Sequence, residues 1–370
     1  MHLETKAIHA ALDIQNDSKD IVPPVHKSTI FELNTEGFKE GDLNYTRHIN
    51  PNRLQLEKLL AELEGGEACA AFSSGVAAAT AVFQALAPGD HVLMPRDVYA
   101  GNRMLVKGLM QPWGLKVDFI DMSRVQNIED HIGADTRLIW IETPSNPLLN
   151  ITDIQAVCDL ARQKEIAVCV DNTWPSPVNQ LPLQLGADLS LHSTTKYLGG
   201  HSDILGGAVI ARESGGIFDR IKEIQWMAGA VPSPQDCWLL CRSIRTLPYR
   251  MRAHNEHALR LARYLNDHPR VADVFYPGLE THPGHETAKK QMSGFGGMIS
   301  FLIDGNAADA LRIVAGSRLI KRATSLGGVE STWEHRQSGE GPDSPTPENL
   351  IRISVGLEHP EDLIGDLERA

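Results

Sequence analysis

The sequence predicts an α/β fold in which a large, mostly parallel sheet is followed by a smaller α+β domain. Short apolar runs alternate with longer helix-like runs between about residues 46 and 225, and this alternation produces parallel strands joined by crossover helices. The pattern changes near residue 226, after which a long helix-like region leads to three further strand-like runs. We therefore expect an N-terminal arm (1–45), an α/β domain (46–225) and a linking helix with a C-terminal α+β domain (226–370).

The arm contains few periodic apolar positions, a Pro-Pro turn at 23–24 and the short apolar cluster STIFEL. A segment with so little core of its own is expected to pack on another domain or subunit. A helix then begins near Asn52, and Gly65–Gly66 is its stop signal. Its apolar stripe consists of Leu54, Leu56, Leu59, Leu60 and Leu63.

Strand-like runs in the α/β domain are short, apolar and bounded by turn residues. They are ACAAFS, PGDHVLMP, LKVDFID, TRLIWIET, IAVCVDN and ADLSLHS. The helix-like runs between them are GVAAATAVFQAL, GNRMLVKGLMQPW and ITDIQAVCDLARQK. The C-terminal domain has the strand-like runs VADVFYP, GGMISFLID and NLIRISVG and the helix-like runs ADALRIVAG and PEDLIGDLERA. Ligands of parallel sheets bind at the carboxyl ends of the strands, so we expect the site there.

The net charge of the chain limits the classes of partner that it is expected to bind. Its formal net charge is -12, whereas nucleic-acid and membrane surfaces are bound through clustered Lys and Arg. We therefore expect neither partner. The N-terminus lacks a signal-peptide pattern, and no apolar run approaches the length of a membrane span. These features favour a cytoplasmic protein that acts on a small molecule.

No metal site is predicted. Two HxxH pairs, 254/257 and 282/285, lack acidic or thiol ligands at the usual spacing, and we expect them to be surface histidines. The cysteines lie inside apolar or helical runs without CxxC spacing, which favours buried, reduced thiols over disulfides. They are Cys69, Cys158, Cys169, Cys237 and Cys241.

Lys196 and Asp171 stand where charged residues are costly. Lys196 lies on a glycine-flanked turn after a strand-like run, and Asp171 ends another such run; a buried charge needs a partner or it is neutralised. Pyridoxal phosphate (PLP) would match both, because a carboxylate holds its ring nitrogen as a pyridinium and a lysine amine bonds to its aldehyde. The pKa of the lysine must fall from about 10.4 for this role.

Other residues fit this cofactor, but each has an ordinary structural alternative. Residues 73–75 lie where a strand meets a helix, and backbone N–H groups there bind phosphate, although a capped helix looks the same. Ser193 and Thr195 place hydroxyl groups beside Lys196. Tyr99 follows a strand and could stack on the pyridine ring or could merely be half-buried packing.

Nine motifs follow one another along the chain: YTRHINPNRLQLE, SSGVAA, DVYAG, ETPSNP, VDNTW, HSTTKYLGG, GAVPSPQDCWL, SLGGVES and RISVGLE. Through these motifs, in this order, the chain resembles the PLP-dependent enzymes of cysteine and methionine metabolism. This family includes cystathionine γ-synthase, cystathionine γ-lyase, cystathionine β-lyase and methionine γ-lyase. The resemblance implies the fold-type I architecture of PLP-dependent transferases, an active lyase or transferase of trans-sulfuration and amino-acid biosynthesis, and PLP as cofactor.

The resemblance also implies roles for the matching residues. Lys196 would bind the cofactor covalently and move protons, Asp171 would hold the pyridinium, and Tyr99 would stack on the ring and help to protonate a leaving group. The implied catalytic residues are Lys196, Tyr99 and Tyr45. The implied cofactor-binding residues are Lys196, Asp171, Thr173, Tyr99, Ser74, Gly75, Val76, Ser193, Thr195, Tyr45 and Arg47.

In this family the phosphate is also reached by a Tyr and an Arg of the neighbouring subunit, which Tyr45 and Arg47 match. The resemblance therefore implies a homotetramer, built as a dimer of dimers, with active sites shared between subunits. It also gives the N-terminal arm a purpose, because the arm would reach across to the neighbouring copy.

On the substrate side, the resemblance assigns the α-carboxylate to Arg352, whose guanidinium binds carboxylates in a bidentate manner. Asn146, Ser325 and Thr324 complete the implied substrate-binding set, and Glu142 is expected to support the cofactor site structurally.

The chain departs from the family pattern at Thr324, where the cystathionine enzymes carry a glutamate near the distal amino group of the substrate. The following loop, 331–345, is shortened; its residues 333–336 could line the distal pocket, but we favour a solvated loop. Gly101 resembles the cystathionine enzymes, since methionine γ-lyase carries a cysteine there.

These features favour γ-elimination or γ-replacement on an amino acid with a sulfur or oxygen substituent, as in cystathionine γ-lyase or γ-synthase. A β-lyase shares the cofactor residues but carries Tyr and Trp around the SLGG motif, where this chain has Thr324 and Leu326. A γ-lyase for methionine, an O-acyl-homoserine or canavanine is a further alternative. A catalytically idle binding protein is disfavoured because the lysine, aspartate and arginine are all present, and an aminotransferase because its motif spacings differ.

Overall fold

The computed structural model of the chain describes residues 1–14, 19–33, 35, 42–340 and 346–370. The strands are β1 Ala68–Phe72, β2 His91–Pro95, β3 Lys116–Ile120, β4 Thr136–Glu142, β5 Ala167–Asp171, β6 Leu189–His192, β7 Gly207–Ala211, β8 Val271–Phe275, β9 Met298–Ile303, β10 Lys321–Arg322, β11 Thr332–His335 and β12 Leu350–Ser354. The helices are α1 Leu3–His9, α2 Pro51–Glu64, α3 Gly75–Gln84, α4 Ala100–Leu105, α5 Gln111–Trp113, α6 Val125–His131, α7 Ile154–Arg162, α8 Ser176–Asn179, α9 Ile217–Ala228, α10 Pro234–Ile244, α11 Leu247–Asn266, α12 His285–Gln291, α13 Ala307–Gly316, α14 Arg336–Glu340 and α15 Pro360–Leu367. A π-helical turn, Val106–Met110, joins α4 to α5, and a 3₁₀ turn spans Pro182–Leu185.

The large sheet has seven strands in the order β1-β7-β6-β5-β4-β2-β3. Strands β2 to β6 pair in parallel, whereas β7 runs antiparallel between β1 and β6. The α/β prediction is therefore confirmed, and each of the six predicted runs contains a strand. The seventh strand, β7, was not predicted because it directly follows the glycine-rich turn after Lys196.

The smaller sheet has five strands in the order β10-β11-β12-β9-β8. Its pairs are antiparallel except for β10 with β11. The three predicted strands β8, β9 and β12 are present. Strands β10 and β11 escape prediction because Lys321–Arg322 and Thr332–His335 are short and largely polar.

Helix α2 ends as predicted, because Gly65 adopts the left-handed conformation with φ 72°. Four of the five stripe leucines are buried, and Leu54 is half-buried. Polar residues of α2 are buried as well, since the helix packs against α10, β1 and α1. Glu57, for example, accepts from the Ala71 N–H at 2.9 Å and from Gln225 Nε2 at 2.8 Å.

The arm has two different parts. Helix α1 packs on α2 and α11 of its own chain, and Ala7 is buried. Farther along, Ile21 and Ile30 are 85% and 69% exposed. An isolated antiparallel bridge joins Ile30 to Tyr45.

All five cysteines are free and buried, as predicted. The surface-histidine prediction is wrong for two of the four HxxH residues. His254 is fully buried, with Nδ1 2.7 Å from the Val355 carbonyl oxygen, because its face of α11 packs on the smaller sheet, and His282 is 6% exposed. Burial lowers the pKa of His254 to about 4, so this ring is neutral at physiological pH. In the described part of the chain, no helix is long and apolar enough to span a membrane.

Strand β7 touches the loop that precedes α3 through Gly207. A Cβ added there would lie 2.2 Å from the Ser74 carbonyl oxygen, whereas one added at Gly108 would meet nothing within 4 Å. We expect Gly207→Ala to destabilise the protein by about 1–3 kcal/mol through overpacking, and Gly108→Ala to have a much smaller effect. Thermal unfolding of the two variants checks this expectation, and equal melting temperatures would contradict it.

Candidate active site

A cavity lies where the carboxyl ends of the large sheet meet the smaller sheet. Asp171 ends β5, Glu142 ends β4, and Tyr99 and Lys196 follow β2 and β6. This is the edge of the sheet at which the sequence predicts a site. The cavity is lined by Ser74, Gly75, Val76, Tyr99, Asn102, Glu142, Pro144, Asn146, Asp171, Thr173, Trp174, Leu191, Ser193, Thr195, Lys196, Leu205, Thr324, Ser325, Leu326, Arg336 and Arg352.

Lys196 projects into this cavity from the turn after β6. Its Nζ donates to Ser325 Oγ at 2.5 Å. This contact joins the part of the chain that forms the large sheet to the part that forms the smaller sheet. Burial lowers the pKa of Lys196 to about 8, and the positive charge of Arg352 acts in the same direction. A substantial fraction of the amine is therefore neutral and nucleophilic near physiological pH.

Asp171 is buried at the end of β5 and accepts two hydrogen bonds from one residue. The Thr173 N–H donates to Asp171 Oδ1 at 3.1 Å and Thr173 Oγ1 donates to the same atom at 2.5 Å. Thr173 Oγ1 in turn accepts from the Ser193 N–H at 2.9 Å. Burial raises the pKa of Asp171, although these hydrogen bonds oppose the effect. A cationic ligand would restore the charged form of this carboxylate.

The N-terminus of α3 also opens on the cavity. Ser74 caps the helix, because its side chain accepts from the Ala77 N–H at 3.0 Å, and the N–H groups of Gly75 and Val76 belong to the first turn. A Cβ at Gly75 would lie 2.8 Å from Ser193 Cβ. Glycine is thus needed for the close approach of α3 to the turn that carries Ser193.

Tyr99 stands at the mouth of the cavity with its side chain partly exposed. Its backbone N–H donates to Glu142 Oε2 at 2.9 Å, so Glu142 holds this loop in place, as expected. Burial raises the pKa of Glu142, and the nearby charge of Asp171 adds to this effect. A Cβ at Gly101 would lie 2.4 Å from the Tyr99 ring, so the observed ring position requires glycine at 101.

Arg352 forms the opposite wall from β12. Its Nη1 donates to Asn146 Oδ1 at 2.8 Å, and its Nη2 donates to the Ser325 carbonyl oxygen at 3.3 Å. The guanidinium lies 5.9 Å from the ring centre of Trp174, within cation–π range. Ser325 adopts a left-handed conformation with φ 81°. From this position its hydroxyl faces Lys196 and its carbonyl faces Arg352.

The prediction of a solvated loop at 331–345 is wrong for residues 333–336. Their exposed fractions are between 1% and 9%, because β11 adds residues 333–335 to the smaller sheet beside β12 and Arg336 begins α14 directly after it. Arg336 also lines the cavity, and its Nη1 donates to Glu334 Oε1 at 2.9 Å. Residues 341–345 of this predicted loop lie outside the described residues.

The cavity brings together most of the residues that the sequence suggested. Tyr45 and Arg47 are elsewhere: Tyr45 is 40% exposed, and Arg47 Nη1 donates to the Trp226 carbonyl oxygen at 2.8 Å. The predicted residues that line the cavity are Ser74, Gly75, Val76, Tyr99, Asn146, Asp171, Thr173, Ser193, Thr195, Lys196, Thr324, Ser325 and Arg352.

Eight further lining residues were not in the predicted catalytic, cofactor-binding or substrate-binding sets: Asn102, Glu142, Pro144, Trp174, Leu191, Leu205, Leu326 and Arg336. Asn102 directly follows the motif DVYAG and Trp174 is the last residue of the motif VDNTW, so their proximity in sequence was an available signal. Arg336 belongs to residues 333–336, for which a lining role in the distal pocket was the less favoured interpretation. Leu205 gave no comparable signal, since a lone leucine in a glycine-rich turn is a common feature of protein surfaces.

These residues fit PLP. Buried Asp171 would pair with the ring nitrogen, the Lys196 amine has a lowered pKa, and the first turn of α3 together with Ser193 and Thr195 offers donors for the phosphate. No metal-binding cluster of His, Cys, Asp or Glu occurs among the described residues.

Comparisons with known proteins agree with this geometry. The family model described as "Cys/Met metabolism PLP-dependent enzyme" matches residues 4–370. Cystathionine γ-synthase of Mycobacterium tuberculosis is 43% identical over 99% of this chain and 96% of its own. Cystathionine β-lyase of Coxiella burnetii is 37% identical over 100% of this chain and 97% of its own. The solved structure of cystathionine γ-lyase from Lactobacillus plantarum, in complex with L-serine, has a TM-score of 0.95 and 37% identity and covers 100% of this chain and 98% of its own.

The lowered pKa of Lys196 predicts how the apoenzyme captures PLP. The rate of capture should rise with pH up to about 8 and then level off, because only the neutral amine reacts. For a lysine with the ordinary pKa of 10.5, the rate would continue to rise up to about that pH. Stopped-flow absorbance of the bound cofactor measures this rate, and data above about pH 7 avoid the ionisation of the phosphate itself. Lys196→Ala is the control that cannot form the bond. A rate that keeps rising well above pH 8 would contradict the expectation.

Proposed function

The chain belongs to the Cys/Met metabolism PLP-dependent enzyme family, and we propose that it catalyses γ-elimination or γ-replacement on an amino acid with a sulfur or oxygen substituent at Cγ. The observation that carries the proposal is one cavity in which Lys196, Asp171 and Arg352 face the same space. An amine, an acceptor for a pyridinium and a carboxylate receptor are the three protein groups that this chemistry needs.

PLP is the cofactor, and when bound it supplies an electron sink for the charge left at Cα after proton removal. Asp171 would hold its ring nitrogen and Thr173 would orient Asp171 through two hydrogen bonds. Tyr99 would cover one face of the ring. The N–H groups of Gly75 and Val76, the Ser74 cap and the hydroxyls of Ser193 and Thr195 would hold the phosphate.

Lys196 Nζ is the base that we assign to the reacting carbons of the substrate. Its lowered pKa suits an amine that accepts a proton at Cα and later one at Cβ. Ser325 Oγ, 2.5 Å away, would position it. Loss of the γ-substituent followed by hydrolysis gives a 2-oxo acid and ammonia, whereas attack by a second nucleophile gives replacement.

Arg352 would bind the substrate α-carboxylate. Asn146 and the Ser325 carbonyl hold its guanidinium from two sides, so its orientation is fixed before the substrate arrives, and a preorganised receptor loses less entropy on binding.

Thr324 bears on which substrate is used. It lines the mouth of the cavity and is neutral and exposed, which favours substrates without a distal amino group, such as methionine or an O-acyl-homoserine, over cystathionine. Canavanine is retained as a further γ-substituted candidate. A cystathionine β-lyase or C–S β-lyase is the second candidate function, and the 37% identity to the Coxiella burnetii enzyme is the observation that favours it.

We also propose that the active site is completed by a neighbouring copy of the chain, in a dimer of dimers within the cytoplasm. Tyr45 and Arg47 lie outside their own cavity, on a surface where Trp226 and Met227 are 50% and 53% exposed. Leu205 lines the cavity and is 62% exposed, so this mouth offers apolar area for such a contact. Beyond α1, which packs on its own chain, the arm (1–45) would cross to the neighbour. The rest of the chain would form an α/β domain (46–225) and a C-terminal domain (226–370).

Turnover of a substrate panel tests the reaction class. We expect at least one γ-substituted amino acid among cystathionine, homocysteine, methionine, O-acyl-homoserines and canavanine to release 2-oxobutanoate, the 2-oxo acid that γ-elimination gives, and the activity to fall by about 10³-fold or more in Lys196→Ala. Assays of 2-oxo acid and thiol release measure this. Pyruvate from cysteine or cystathionine, with no 2-oxobutanoate from any compound of the panel, would instead establish the β-lyase.

A shared site predicts complementation between two inactive variants. Arg47→Ala removes a phosphate contact from the neighbour's site and Lys196→Ala inactivates its own site, so each homo-oligomer should be nearly inactive. Mixed oligomers, formed by dissociation and reassociation, contain sites with both native residues and should recover up to about a quarter of wild-type activity at equal mixing. A mixture that stays inactive after verified subunit exchange would rule out the shared site. Arg312→Ala, at an exposed position on α13, is the matched control for loss of an arginine.

A further inference from the structure

Arg352 shares a carboxylate with a second arginine that also lines the cavity. Glu334 of β11 lies opposite Arg352 of β12 in the antiparallel register, so their side chains are on the same face of the smaller sheet. Glu334 Oε1 accepts from Arg352 Nη2 and, at 2.9 Å, from Arg336 Nη1. Two guanidinium nitrogens that bond to one oxygen lie less than about 6 Å apart.

All three side chains are shielded from solvent. The exposed fractions of Arg352, Arg336 and Glu334 are 3%, 5% and 9%. Charges in such an environment interact strongly, since little water screens them. The arrangement therefore affects how the cavity binds a charged ligand.

The charges are arranged unevenly around the cavity. Both arginines line it, whereas the second carboxylate near Arg336, Glu340, lies in the adjoining groove with Thr346. Arg336 Nε is 2.7 Å from Glu340 Oε1. The four formal charges cancel, but the two positive groups are the ones that face the cavity. An anionic group in the cavity is therefore nearer to the guanidiniums than to the carboxylates.

Arg336 reduces the extent to which Glu334 neutralises the charge of Arg352. If Arg352 were the sole partner of Glu334, the pair would be neutral and Arg352 would attract a substrate carboxylate weakly. Because Glu334 is shared, it offsets the charge of Arg352 only in part; the trio Arg352–Glu334–Arg336 has a formal charge of +1, which Glu340 balances from the adjoining groove. Among the described residues, Arg336 donates a side-chain hydrogen bond to Glu334, whereas its Nε forms an ion pair with Glu340 without a hydrogen bond.

We propose that Arg336 is a second cation of the subsite that binds the substrate carboxylate, and that Glu334 is the positioning residue that holds both arginines. The ligand class is the carboxylate of an amino acid. This inference rests on the proposed function, because it concerns how the same site binds its substrate. The alternative is that Arg336 only compensates the buried charge of Glu334.

The test compares two probes that differ only by a carboxylate, L-serine and ethanolamine. Each is titrated into the PLP-loaded holoenzyme, and dissociation constants are read from the absorbance of the bound cofactor and from calorimetry. We expect Arg336→Gln to weaken the binding of L-serine by about tenfold or more and the binding of ethanolamine by less than about twofold. Arg336→Lys should retain most of the affinity for L-serine, since it keeps the charge. Arg312 is an exposed arginine on α13, and Arg312→Ala should change the affinity for neither probe.

A double variant separates electrostatics from packing. Adding Glu334→Gln to Arg336→Gln removes the carboxylate that would otherwise neutralise Arg352, so the double variant should bind L-serine more tightly than Arg336→Gln alone. A purely structural role predicts the opposite, because a second buried contact is lost. If Arg336→Gln does not fold, the double variant is compared with Glu334→Gln alone, and weaker L-serine binding in the double variant supports the proposal.

The outcomes distinguish the two levels of inference. The role of Arg336 is overturned if Arg336→Gln weakens the binding of L-serine and of ethanolamine equally, or if it does not weaken the binding of L-serine at all. Either result leaves the proposed function intact. Failure of the wild-type holoenzyme to bind L-serine or any compound of the substrate panel contradicts the proposed function and this inference with it.

Discussion

Desolvation of charged groups at the carboxyl ends of parallel strands is the constraint on which the rest of the site depends. Asp171 is buried at the end of β5, and Lys196 is largely shielded in the cavity between the two sheets. This burial raises the pKa of Asp171 and lowers the pKa of Lys196 to about 8, so each group is shifted toward its neutral form. An amine that is easily deprotonated and a carboxylate that needs a cation have the same physical origin. The fold thus produces both properties by burying the two side chains.

In the smaller sheet, by contrast, the buried charges are paired. There the buried charges have many partners: Arg352 contacts Asn146, Ser325 and Glu334, and Glu334 also contacts Arg336. Such a network fixes side-chain geometry, because each member is held from several directions. One wall of the cavity therefore carries groups with shifted pKa values, and the other carries groups with a fixed orientation. The contact between Lys196 and Ser325 joins the two walls.

How much the sequence could predict follows from how local each signal is. Lys196 and Asp171 each end a short apolar run, so their positions at a sheet edge follow from a few neighbouring residues. Strand β11 and Arg336 do not follow in this way, because TWEH has no alternating pattern and its burial depends on pairing with β12, whose paired residues lie 16 to 22 positions further along the chain. Tyr45 and Arg47 were suggested only by the family resemblance, since a single chain does not build a site shared between subunits.

Ser325 has a consequence for how this protein could evolve. A serine with φ 81° is in a region that side chains other than glycine occupy at a cost of about 1–3 kcal/mol. Glycine at this position would relieve the strain but remove the hydroxyl beside Lys196. Selection for thermal stability alone would therefore favour glycine here, and selection for turnover would oppose it. Stability and activity are thus in direct conflict at this single position.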